Sequence, residues 1–110
     1  MSFFNSDLVR EEMDEISRLQ DEVYKKVWEF PSMDKDGKLE HVEMLSSLLE
    51  KQKILYTRLS LSDDPEAKRM KDQILESARG LGFPADVDLT YVFSNMTKIL
   101  ESMKKSIDNS

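Results

Sequence analysis

The chain has 110 residues, 39% hydrophobic and 35% charged, with 22 acidic against 16 basic side chains for a formal net charge of −6. That length supports one domain over residues 1–110, and the composition fits a helical protein with a modest core better than a disordered chain. The charge disfavours the phosphate neutralisation behind nonspecific nucleic-acid binding, no apolar run is long enough to cross a membrane, and the absence of cysteine removes disulfides and thiolate chemistry.

The opening Met-Ser-Phe-Phe-Asn-Ser lacks the basic and apolar regions of a signal peptide, so a cytoplasmic location is expected. From Ser6 to Phe30 the residues Val9, Met13, Ile16, Val23, Val27 and Phe30 recur at alternating fours and threes, with Gln20 the one polar member of the seam. This spacing predicts a long helix over about 6–30, widened by Leu8, Leu19 and Tyr24, capped by Asn5 or Ser6 and stopped by Pro31. A second stripe, Leu39, Val42, Leu45, Leu49, Gln52, Tyr56 and Leu59, predicts a helix over about 38–60. The two form an antiparallel hairpin through residues 31–37, with Gly37 read as the cap and Glu40 bonding back to it.

Asp64 followed by Pro65 starts a shorter helix, about 65–79, that buries Ala67, Met70, Ile74 and Ala78, with Leu81 as a further candidate, and stops at Gly80-Leu81-Gly82. The last helix runs over about 87–106, with Leu89, Val92, Met96, Ile99, Met103 and Ile107 as its inward row and Phe93 and Leu100 beside it. The expected fold is all-α, with four helices.

The residues Met-Ser-Phe-Phe-Asn-Ser, then Val9, Glu11 and Glu12, together with Tyr56-Thr-Arg-Leu-Ser-Leu-Ser-Asp-Asp64 and Ala67, carry a further signal. They resemble the cyanobacterial and cyanophage family filed as domain of unknown function 1825. The resemblance implies an all-helical cytosolic protein of a photosynthetic bacterium, or of a phage infecting one, and transfers no catalytic residue.

Residues 32–43 invite comparison with a calcium loop, since Asp34, Asp36, Glu40 and Glu43 surround Gly37 at EF-hand spacing. Ser32 stands where the first carboxylate belongs, and no second loop completes a pair, so a helix-starting turn explains the same residues better. His41, the only histidine, falls just outside the second stripe and reads as a surface residue. No nucleophile elbow or phosphate-cradling glycine loop occurs, so neither an enzyme nor a cofactor is expected.

Among the seven methionines, Met13, Met70, Met96 and Met103 fall on buried stripes. Phe3, Phe4, Trp28 and Phe30 are the candidate contact residues, with Phe3 and Phe4 stapling onto the first helix or meeting a partner. Gln20 and Gln52 would set register if the stripes associate, so a homo-oligomer is as consistent as a monomer. The expected function is protein interaction or regulation, with weak calcium binding, or acidic regulation of host transcription, as alternatives.

Overall fold

The computed structural model describes residues 3–84 and 86–109. Among the described residues it contains α1 (Asp7–Lys26), α2 (Lys35–Leu61), α3 (Pro65–Gly80) and α4 (Leu89–Asp108), with 3-10 turns at Phe3–Asn5 and Phe30–Ser32 and no strand. The all-α fold with four helices is as the periodicity predicts.

Ser6 stands at the cap position of α1, but its side chain makes no capping hydrogen bond; the later boundaries have local causes. The first helix ends at Lys26, earlier than its stripe suggests, because tighter turns follow: the Glu29 amide donates to the Lys26 carbonyl and the Phe30 amide to that of Val27. Pro31, which disfavours helical angles in the residue before it, then sits in the short turn of Phe30–Ser32. The second helix begins at Lys35 and not at 38. Its cap is Asp34, whose carboxylate accepts from the Gly37 amide at 2.8 Å, so Gly37 lies inside the first turn and the expected Gly37 cap is corrected. A Cβ at Gly37 would stand 3.0 Å from that carboxylate and 3.3 Å from the Met33 Cβ, so the glycine makes room for the cap.

The third helix starts as read, with the Asp64 carboxylate accepting from the Glu66 amide at 3.1 Å and Pro65 in the first turn. At its end the Phe83 amide donates to the Ala78 carbonyl and the Gly82 amide to that of Arg79, while Gly82 takes φ +101°. This is the Schellman pattern, which favours glycine because a left-handed residue with a Cβ is strained. The fourth helix is capped by Asp88, which accepts from the Thr90 amide at 3.0 Å.

The central element is α2. It packs against α1 on one side and α4 on the other, with α3 across its C-terminal end, whereas α1 and α4 share at most marginal contact. Three small clusters form around it: Val42, Leu49 and Leu100 toward α4; Ile16, Val23 and Leu48 at the same level toward α1; and Tyr56, Leu59, Ala67, Ala78 and Leu89 at its C-terminal end. Leu48 and Leu49 therefore serve opposite neighbours, which is why the apolar residues of α2 are spread around the helix and not gathered on one face. Ala67 and Ala78 let α3 lie close.

Ion pairs fix the directions. Glu12 meets Arg58 at 3.0 Å and Glu15 meets Lys51 at 2.6 Å, so α1 runs antiparallel to α2. Lys104 pairs with Glu43, and Lys35 donates to the Asp108 carbonyl at 2.7 Å, so α4 is antiparallel to α2 as well. The two flanking helices thus run parallel to each other. The molecule is a slab of 48 × 32 × 20 Å, two helix diameters thick.

Candidate functional site

The feature that stands out is a groove over α2, walled by α1 and by α3 and α4. It arises because α1 and α4 each turn only half of their apolar arc toward α2. On α1, Val9, Ile16 and Val23 recur every seven residues and are buried, while Met13 and Val27 remain about two-fifths exposed. On α4, the residues that pack are Leu89, Val92, Phe93, Leu100 and Ile107. Met96, Ile99 and Met103, expected inside, are exposed to 43%, 60% and 37%. The expected burial of Met13, Met70, Val27, Met96, Ile99 and Met103 is corrected accordingly, as is that of Leu81, which is 81% exposed beyond the end of α3. An apolar arc of this width holds two rows, and the neighbouring helix decides which row it meets.

The exposed rows line two hollows. One, of about 280 Å³, lies between Met13 and Ile16 of α1, Leu55 and Tyr56 of α2, Met70 and Ile74 of α3 and Phe93 of α4, with Phe3 and Phe4 at its edge. The other, of about 410 Å³, has Leu45, Leu48 and Leu49 as its floor and Tyr24, Met96 and Ile99 on its walls. Gln52 lines both, so they form one groove, and Gln20 joins it in the second. No charged side chain among the described residues lines either hollow. The two glutamines that interrupt the predicted seams are therefore brought together, and neither amide hydrogen-bonds to another described residue.

The named aromatic candidates divide. Phe3 and Phe4, in edge-to-face contact at 5.1 Å, staple onto the cluster of Tyr56 and Leu59, and the Phe3 amide donates to Asp64. Phe30 is half-buried against His41, with ring centres 5.4 Å apart and the Lys38 ammonium 5.8 Å from the Phe30 ring. Trp28 is 89% exposed, one turn beyond Tyr24. His41 is not a surface residue: it is 3% exposed, and its Nδ1 has no hydrogen-bond partner among the described residues. Four and seven residues before Leu45 and Leu48, it falls on the row of α2 that packs inward, and the Phe30 ring lies against it.

The acidic candidates do not converge. Asp34 caps α2, Asp36 and Glu40 are exposed on its first turns, and Glu43 pairs with Lys104. Among the described residues no group of three or more Asp, Glu or His is placed to hold a metal ion. That hydrogen bond from Lys104 to Glu43 raises the Lys104 ammonium above its ordinary value, and the one from Lys51 to Glu15 holds the Glu15 carboxyl below its own.

A family model described as Domain of unknown function (DUF1825) matches residues 1–107. The chain belongs to the DUF1825 family. No curated protein and no solved structure matches this DUF1825 chain. No helix among its described residues is long and apolar enough to cross a membrane.

Proposed function

We propose that this DUF1825 protein is a non-catalytic interaction module of the cyanobacterial or cyanophage-infected cytosol, and that its groove receives a helix of a protein partner. The observation that carries the reading is the absence of charge from the groove of a chain that is 35% charged. Depletion of charge with enrichment of aromatic residues and methionine is the compositional mark of an interface centre. Parallel apolar walls with a leucine floor suit an amphipathic helix, whose anchors recur at threes and fours.

Affinity capture from cell extract with the intact chain and with Ile99→Glu tests it. Ile99 is 60% exposed, so the charge enters the groove without entering the core. The intact chain should retain at least one protein that the variant loses; identical recovery by both refutes the reading.

A further inference from the structure

We propose that a hollow at the hairpin end of α1 and α2, separate from the groove, binds one Cu(I) ion through the imidazole of His41 and the thioethers of Met33 and Met44. The hollow, of about 140 Å³, lies between Lys26 and Glu29 on one side and the first turns of α2 on the other, and shares no residue with the two hollows of the groove. His41 is the residue that calls for an occupant. It is 3% exposed, and its Nδ1 has no hydrogen-bond partner among the described residues. A buried polar atom in that state is destabilising unless water or an ion completes it.

Two sulfurs are placed beside the imidazole. Gly37, His41 and Met44 follow one another at steps of four and three along α2, so they share a face, and all three line the hollow. Met33 crosses that face from the preceding turn: its Cβ and Cγ lie 3.3 and 3.6 Å from where a Cβ on Gly37 would stand. The imidazole is thus flanked by one thioether toward the start of α2 and by another one turn further on. Neighbours at these helical steps are about 5–6 Å apart, a span that one ion and two unbranched methionine side chains bridge.

Donor type and charge select the metal. Thioethers with an imidazole suit Cu(I), whereas calcium, magnesium and manganese take carboxylate, carbonyl and water oxygens, and the usual ligands of zinc include no thioether. At the edge of the hollow Glu29 and Glu40 stand against Lys26, which leaves one net negative charge for a singly charged cation to neutralise. Water is the competing occupant, since it also bonds to an imidazole nitrogen and fits a hollow of this size.

Anaerobic titration of the full chain with Cu(I), in competition with the chromophoric chelator bicinchoninate, separates the two. The intact chain is expected to withdraw one equivalent of copper. Met33→Leu and Met44→Leu, which keep bulk and apolarity, should each weaken binding by about tenfold or more with helical circular dichroism unchanged, since loss of even an outer partner of a metal site costs that much. His41→Gln should abolish binding, and if that variant fails to fold the two methionine variants decide alone. Met13→Leu with Met70→Leu, in the groove, should leave binding as it is. A chain that withdraws no copper, or one that binds equally well with Met33→Leu and Met44→Leu combined, overturns the proposal and leaves the groove untouched.

Discussion

Truncating two neighbouring residues of α4, Leu100 and Ile99, tests the rotational setting of that helix. Leu100 is 9% exposed and shares a cluster with Val42 and Leu49, closed by Phe93 and Ile107. Leu100→Ala removes three buried carbons and leaves a cavity; since the groove beside it allows partial collapse, the loss should be about 3 kcal/mol, toward the lower part of the range for such changes. At this chain length that lowers the melting temperature by roughly 12 °C. Ile99 is 60% exposed, so Ile99→Ala should change the stability of an isolated copy by no more than about 0.5 kcal/mol. Any larger effect must come from association and must disappear on dilution. Urea denaturation followed by circular dichroism at two protein concentrations separates the cases. If Ile99→Ala costs as much as Leu100→Ala at both concentrations, α4 is turned by one residue and the groove is closed.

Three further outcomes follow from the local chemistry. Asp64→Ala removes the α3 cap and the acceptor of the Phe3 amide together, and should lower stability by about 2 kcal/mol in chemical denaturation. Gly82→Ala should cost about 1–2 kcal/mol by the same assay, because its φ of +101° is strained for any residue with a Cβ. The pairing that holds the Glu15 carboxyl below its ordinary 4.5 contributes stability above that value and loses it as pH falls through the folded-state value. The stability difference between the intact chain and Glu15→Gln should therefore be constant near neutrality and shrink in acid; a difference that grows on acidification contradicts the Glu15–Lys51 pairing.

Helix number and order were legible in the sequence because threes and fours dominate it and because Pro31, Pro65 and Gly82 punctuate it. The seam of fours and threes contained the packed row of α1, Val9, Ile16 and Val23, but did not show that Met13 and Val27 in the same seam face outward. That depends on where α4 lies, which no local pattern encodes. The same ambiguity put Met96, Ile99 and Met103 inside and Phe93 and Leu100 at the side, the reverse of what packs. His41 was misplaced because one stripe was read on α2, whereas the row of His41, Leu45 and Leu48 also packs inward; the start of α2 was misread separately, since Asp34 and Gly37 are both good turn residues and only the hydrogen bond between them shows which one caps. The groove was not legible: Gln20 and Gln52 stood out as polar members of two seams, and their meeting in one hollow is a tertiary fact.

The central claim is that the groove over α2 is a binding surface, and site-directed photo-crosslinking in cells tests it most directly. A photoreactive amino acid at Tyr24, on the groove wall, is predicted to give a discrete covalent adduct with a protein, whereas the same group at Glu76, exposed on α3 and outside both hollows, gives none. No adduct at Tyr24, or the same adduct pattern at both positions, would contradict the account.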